Sequence, residues 1–225
     1  MKLIASFFVC ALAALAQTPP RASVQATGNG SVSVTPDQAQ INVSAVTQAA
    51  TAQDAANQNA TVATNILQQL AAALGSAGSV KTVYYSVSPI YNYPRDGSPA
   101  TITGYSVTNT IQVTLNDLSI AGKIIDTATQ AGASRIDSLQ FTLKDDTDAR
   151  SQALKAATLK AKSKADAMAA ALGLKTGAVQ VLQESGAVIS DIRTTAPTAG
   201  GAATPVQVGP LTVTANVTIS VEMTQ

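Results

Sequence analysis

The sequence has 225 residues, 46% of them hydrophobic and 12% charged, which indicates a folded protein with a packed core. It contains no histidine, no tryptophan and one cysteine, and its 14 basic residues nearly balance its 13 acidic ones. This composition excludes catalysis by serine–histidine or cysteine–histidine pairs and zinc sites built from histidine and cysteine. The balanced charge argues against nucleic acid as a partner.

The first 16 residues have the features of a secretory signal peptide. Lys2 supplies a positive charge, residues 3–15 are apolar but too short to span a bilayer, and Ala14-Leu15-Ala16 matches a small-x-small cleavage pattern. Cys10 lies in this segment after Val9, where a lipoprotein signal needs a smaller residue. We therefore expect a thiol-free bacterial protein, periplasmic or secreted, with no membrane insertion after cleavage.

The next segment is predicted to form a first hairpin. Two short strands, Ser31–Val34 and Gln38–Thr47, flank a turn at Thr35-Pro36-Asp37. Gly28-Asn29-Gly30 is interpreted as a turn that enters the first strand. A dinucleotide-binding motif would need a third glycine and a helix after it.

Three helices are predicted from capping residues and apolar spacing. The first follows the capping box Thr51-Ala52-Gln53-Asp54 and ends at Gly75, and the second starts after Asn116-Asp117 and ends at Gly132. The third opens with aspartates, which favour a helix N-terminus. Its predicted buried stripe is built mainly from small residues: Ala149, Ala153, Ala157, Ala161, Ala165, Met168 and Leu172.

Residues 80–115 predict a long hairpin, because apolar and polar residues alternate on both sides of a loop rich in turn-forming residues. Four of the five tyrosines lie on its first strand or loop: Tyr84, Tyr85, Tyr91 and Tyr93. Tyrosine at such positions commonly covers a sheet face. The alternative is a contact surface between copies of the chain, since tyrosine is enriched in protein interfaces.

The remaining strands complete an α+β pattern. One strand, with Ile136 and Phe141, follows the second helix, and two more, Val179–Ile189 and Leu211–Met223, follow the third. The order β-β-α-β-β-α-β-α-β-β predicts a largely antiparallel sheet with three helices packed on it. We expect residues 17–26 to form an exposed lead-in and residues 27–225 a single domain.

No motif predicts catalytic, cofactor-binding or metal-binding residues. Asp145, Asp146 and Asp148 lack the glycine and distal glutamate of a calcium loop, and the lysines from 155 to 164 are interpreted as a solvated helix face. Two further hypotheses remain open. One is a carboxylate-dependent hydrolase, for which the spacing predicts no pair but the candidate residues are Asp137, Glu184 and Asp191. The other is a carrier of a small apolar ligand held between sheet and helices.

Several segments carry a family resemblance through their order and spacing: Thr27–Val34, Pro36-Asp37, Ser86–Tyr91, Ile102–Tyr105, Asn109, Gly122–Gly132, Ala171–Leu174 and a strand with Glu184. Through them the sequence resembles the SIMPL-domain family, which includes bacterial periplasmic proteins of oxidative-stress defence and an immunogenic periplasmic protein. The resemblance implies an exported α+β protein, assembled in some members into large rings, with a role in tolerance of oxidative stress. It implies that a projecting hairpin, here residues 80–115, contributes to assembly, and it supplies no catalytic residues.

The leading hypothesis is therefore a non-enzymatic assembly or binding protein. Its partner would be a second copy of the chain, held through the long hairpin and the small-residue face of the third helix.

Overall fold

The computed structural model of the protein describes residues 22–96, 98–191 and 204–225. The predicted signal peptide, the first part of the lead-in and most of the loop before the last strand lie outside the described residues. The element order agrees with the prediction and confirms the α+β class. In chain order the elements are β1 (Ser23–Val34), β2 (Gln38–Ala49), α1 (Ala52–Leu74), β3 (Gly78–Asn92), β4 (Thr101–Leu115), a 3-10 turn (Leu118–Ile120), α2 (Ala121–Gln130), β5 (Arg135–Thr142), α3 (Thr147–Ala171), β6 (Lys175–Asp191) and β7 (Leu211–Thr224).

The strands form two antiparallel sheets. The three-stranded sheet has the order β1-β7-β6, and the four-stranded sheet has the order β3-β4-β2-β5. The predicted first hairpin is wrong, because β1 pairs with β7, whereas β2 pairs with β4 and β5. Thr35-Pro36-Asp37 instead carries the chain from one sheet to the other, and Asp37 Oδ1 accepts a hydrogen bond from Lys144 N at 2.7 Å. The long hairpin is confirmed, since β3 pairs with β4 along its whole length.

Helices α1 and α2 pack on the four-stranded sheet. The predicted cap of α1 is present: the Thr51 hydroxyl accepts a hydrogen bond from Asp54 N at 3.1 Å, and Gly75 follows the last helical residue. The sequence pattern does not predict that Asn59 of α1 is fully buried. Its Nδ2 donates hydrogen bonds to the carbonyl oxygens of Ala45, at 2.9 Å, and Val107, at 3.3 Å. This side chain therefore fastens α1 to two neighbouring strands.

Helix α3 packs on the three-stranded sheet through alanine side chains. Its buried residues recur at every fourth position: Ala149, Ala153, Ala157, Ala161, Ala165 and Ala169. Met168 and Leu172, predicted in this stripe, are exposed. The row continues to Ala169, and Met168 lies about 100° around the helix from it, so Met168 points away from the sheet.

Gly28 and Gly30 lie inside β1, opposite Val217 and Ala215 of β7, and not in the predicted turn. A Cβ atom on Gly28 would lie 2.1 Å from Ala157 O, and one on Gly30 would lie 2.2 Å from Ala153 O. Residues two positions apart in a strand are separated by about 6.6 Å, and residues four positions apart in a helix by about 6 Å. The two glycines of β1 therefore face successive alanines of the row on α3. Close contact between two backbones therefore takes the place of interlocking large side chains.

The first strand is longer than predicted. Residues Ser23–Ala26, assigned to the lead-in, belong to β1, and Ala26 is buried. Strand β7 continues to Thr224 and so offers pairing partners to the start of β1, where Ser23 pairs with Glu222.

The segment of residues 204–210, which leads into β7, lies against α2. Asp126 accepts hydrogen bonds from Thr204 N at 3.2 Å and from Thr204 Oγ1 at 2.6 Å. Gly122 gives this segment room, because a Cβ there would lie 2.3 Å from Thr204 O. Leu211, the first residue of β7, is buried in the core of the four-stranded sheet, so this segment joins the two layers.

Asp166 ties the end of α3 to the start of β6. Its carboxylate accepts hydrogen bonds from Thr176 Oγ1 at 2.5 Å and Lys162 Nζ at 3.0 Å. The Thr176 hydroxyl, followed by the Lys162 ammonium, lowers the pKa of Asp166 from its ordinary value of 3.8.

Replacing Gly28 with alanine should force α3 away from β1, because the new methyl group would meet the backbone of Ala157. We expect Gly28→Ala to lower the free energy of unfolding by about 3 kcal/mol, measured by chemical denaturation. Gly177→Ala is the matched control: it also adds a methyl group to a strand, but the nearest atom is the side-chain Cγ2 of Thr224 at 3.2 Å. Equal stability of the two variants would contradict the close packing of α3 on β1.

Replacing Thr176 with valine removes the largest cause of the lowered Asp166 pKa. NMR titration of the Asp166 carboxyl carbon should then show its pKa rising toward 3.8. Because folding lowers this pKa, the stabilisation is present above 3.8 and is lost as the pH falls through the folded value. The stability difference between wild type and Thr176→Val should therefore shrink at low pH. Thr224→Val, which alters a nearby threonine, should leave the Asp166 pKa in place, and an unchanged pKa in Thr176→Val would refute this account.

Candidate functional site

The predicted interface tyrosines lie on or next to β3, the outermost strand of the four-stranded sheet. All four are exposed, and Tyr93 in the loop has 74% of its surface accessible. Tyr84 pairs with Thr110 and Tyr85 with Asn109, so these two tyrosines point to opposite faces. The rings of Tyr91 and Tyr93 are brought together, with centroids 6.0 Å apart. The structure therefore divides the tyrosines between the two faces and the outer end of the hairpin.

The end of this hairpin projects beyond the rest of its sheet. Pairing between β2 and β4 stops at Ala49 opposite Tyr105, whereas β3 and β4 stay paired out to Asn92 opposite Thr101. The part of β3 that lies beside the sheet also exposes Val83 and Val87. A long edge strand with apolar side chains and one row of unpaired backbone groups is suited to contact another chain.

Strand β6 is a second edge of this kind, which the sequence pattern does not predict. It is the outer strand of the three-stranded sheet and exposes Val179, Val181, Leu182 and Val188. Val181 and Leu182 are consecutive and thus point to opposite faces. Adjacent apolar residues of this kind, which recur at Val188-Ile189, are the sequence signal that both faces of β6 carry apolar groups.

The candidate hydrolase residues are not brought together in one sheet. Asp137 lies on β5 of the four-stranded sheet, where its carboxylate accepts hydrogen bonds from Ser44 Oγ and Arg135 Nε. Glu184 lies on β6 of the three-stranded sheet, and the side chain of Asp191 is outside the described part of the chain. Among the described residues, the carboxyl groups with a displaced pKa are Asp96, Asp117, Asp145 and Asp166, and hydrogen bonds lower each of them. A general acid would need the opposite shift.

Several charged residues at the start of α3 and along it form hydrogen bonds or ion pairs within the protein. Asp145 Oδ1 accepts a hydrogen bond from Thr147 N at 2.9 Å, and Asp146 pairs with Arg150 at 2.7 Å, as expected of residues that begin a helix. Lys164, which was interpreted as part of a solvated face, donates to Thr27 O at 2.9 Å and so reaches β1.

Neither a metal cluster nor a membrane-spanning helix is present in the described ranges. Within residues 22–96, 98–191 and 204–225, no three acidic, cysteine or histidine side chains are grouped as metal ligands. In the same ranges, no helix combines the length and apolar character needed to cross a membrane.

The position proposed for a carried apolar ligand, between α1 and its sheet, holds fully buried side chains that include Ile41, Ile66, Leu70 and Ile111. An open groove of about 440 Å³ lies instead beside α2, between Leu118, Lys123 and Val206.

Comparison with known proteins finds a matching family model and two relatives. The model of the SIMPL family, described as a protein of unknown function (DUF541), matches residues 24–221, from β1 into β7. Two relatives are named 26 kDa periplasmic immunogenic protein, one from Brucella melitensis biotype 1 and one from Brucella abortus (strain S19). Each is 31% identical over 170 residues, covering 74% of this chain and 68% of the relative. Matches of this extent confirm the resemblance, and the chain belongs to the SIMPL family.

Proposed function

We propose that this protein is exported to the bacterial periplasm and acts by assembling with copies of itself, not by catalysing a reaction. The charge, apolar stretch and cleavage pattern of residues 1–16 support export. The names of the two Brucella relatives, which call them periplasmic, support the same compartment.

The observation that carries the proposal is the apolar surface on the two edge strands. Among the described residues, the exposed large apolar side chains lie on β6 or on the hairpin from β3 to β4, apart from Leu159 and Met168 on α3, Leu172 directly after it and Val208 before β7. A monomer would leave these strands ready to pair with any other exposed edge. A defined contact with a second copy removes that hazard and covers the apolar surface.

The two edges differ, and this difference favours a head-to-tail contact. One belongs to the four-stranded sheet and carries tyrosines and Lys81; the other belongs to the three-stranded sheet and carries aliphatic residues and Glu184. Joining unlike surfaces repeats the contact from one copy to the next, which generates a ring when the rotation closes.

The role in oxidative-stress tolerance that the resemblance implies is part of this proposal. After residue 16 the sequence contains no cysteine, so thiol chemistry is unavailable to the exported protein. Met168 is exposed, but one accessible methionine provides little scavenging capacity. We therefore assign any protective effect to the assembled surface of the protein.

Two variants test the head-to-tail contact by light scattering after size-exclusion chromatography. The first replaces Tyr91 and Tyr93 with serine at the hairpin end, and the second is Val181→Lys, which places a charge on β6. Wild type should have a mass of several chains, and each variant alone should be reduced to one chain. An equimolar mixture should recover the mass of two chains, because the intact β6 of one variant can bind the intact hairpin of the other.

Leu159→Ser is the control, since it removes an exposed apolar side chain from α3 without changing either edge. Its mass should equal that of wild type. A wild-type protein that is monomeric at micromolar concentration would overturn the assembly proposal. A mixture that stays monomeric would overturn the head-to-tail arrangement.

A further inference from the structure

The four-stranded sheet has one face that none of the described helices covers. Its buried residues, such as Ile41, Val43, Ile111 and Val113, belong to the core shared with α1 and α2. The alternate residues point the other way and are almost all polar. This surface, here called the polar face, comprises Ser79, Lys81, Tyr84, Ser86 and Ser88 on β3; Ser106, Thr108, Thr110, Gln112 and Thr114 on β4; Gln40, Asn42, Ser44, Val46 and Gln48 on β2; and Arg135, Asp137, Ser138 and Gln140 on β5.

Hydrogen bonds between side chains hold the centre of the polar face in place. Gln112 Nε2 donates to Asn42 Oδ1 at 3.3 Å, and Asn42 Nδ2 donates to Ser138 Oγ at 3.1 Å. In the next row Ser44 is fully buried, and its Oγ lies 2.8 Å from Thr110 Oγ1 and is also bonded to Asp137, so it supports the surface from below. These groups span three strands and are already ordered, so a ligand would bind without a large cost in side-chain entropy.

The chemistry of the polar face restricts what it can bind. Arg135 and Asp137 pair with each other, which leaves Lys81 as the one other charged side chain on this face within the described residues. A polyanion would need more positive charge. An apolar ligand would displace water from the amides and hydroxyls without replacing the hydrogen bonds that they make beyond those to each other. Tyr84 adds one exposed ring at the edge of the face. Planar amides, hydroxyls, one aromatic ring and one cation complement an extended chain of sugars that carries amide groups and scattered carboxylates.

We propose that the polar face binds the glycan strands of the cell wall. Neighbouring β-strands are about 4.8 Å apart, a spacing close to the length of one sugar ring, so successive sugars would meet successive strands. This assignment rests on the proposed export, because that is what brings the protein into contact with the wall. The amides at its centre, Gln112 and Asn42, lie on the two inner strands of the sheet, whereas Lys81 and Tyr84 lie on the edge strand β3.

Sedimentation of the purified protein with insoluble peptidoglycan sacculi tests the proposal. Gln112→Ala removes the amide at the centre of the polar face, and we expect its apparent Kd to be about fivefold higher than that of wild type, the loss of about one hydrogen bond. Gln25→Ala is the matched control, because Gln25 is an exposed glutamine on β1 of the other sheet. It should bind as wild type does. Cellulose replaces sacculi in a parallel arm and should bind at least about fivefold more weakly, since it lacks both the amides and the carboxylates.

The outcomes separate this inference from the assembly proposal when the mass of each variant is measured alongside binding. Wild type that fails to sediment with sacculi, whatever its mass, overturns the glycan site and leaves assembly standing. Equal binding by Gln112→Ala and wild type, or equal weakening by Gln25→Ala, places binding elsewhere and also overturns it. Equal retention on cellulose refutes the assignment to cell-wall glycan. Selective loss in Gln112→Ala at unchanged mass and unfolding midpoint supports it.

Discussion

The contact between α3 and β1 is the constraint on which the rest of the structure depends. It joins an alanine row to two glycines at a distance that no larger side chain would permit. An alanine methyl group buries little area, so this contact gains its stability from many close backbone atoms and not from a few large side chains. Because β1 is held against α3 and pairs with β7, β2 pairs with strands of the other sheet. The chain is thereby divided into two sheets.

Local features of the fold can be read from the sequence because local residues determine them. The threonine cap of α1, the glycine after it and the β3–β4 hairpin each depend on neighbours within one element or one turn. The choice of partner for β1 does not, because β7 lies almost at the other end of the chain. Two strand patterns separated by a short turn are compatible with a hairpin. Nothing near them in the sequence indicates that β7 is the partner of β1 instead.

Of the three surfaces that carry the proposed functions, only the hairpin was predicted, for the same reason. Tyrosines stand out in a sequence with few aromatic residues, so the hairpin predicted from alternation could also be predicted as a contact surface. The exposure of β6 depends on its being an edge strand, which is decided by sheet order. The polar face depends on the register of four strands, and Ser44 and Gln112 are unremarkable until that register brings them into adjacent rows. The burial of Asn59 was not predicted, because the carbonyl groups that accept its hydrogen bonds belong to strands that the helix sequence does not identify.

The pairing of the first strand with the last has a consequence for the order of folding. Gly28 and Gly30 are made early, but β1 lacks its neighbour in the sheet until β7 has been made. The three-stranded sheet is thus closed by contacts between residues very distant in sequence, which form slowly. The proposed export would gain from this arrangement, because the amino-terminal strand lacks its partner in the sheet until the carboxyl-terminal strand has also crossed the membrane.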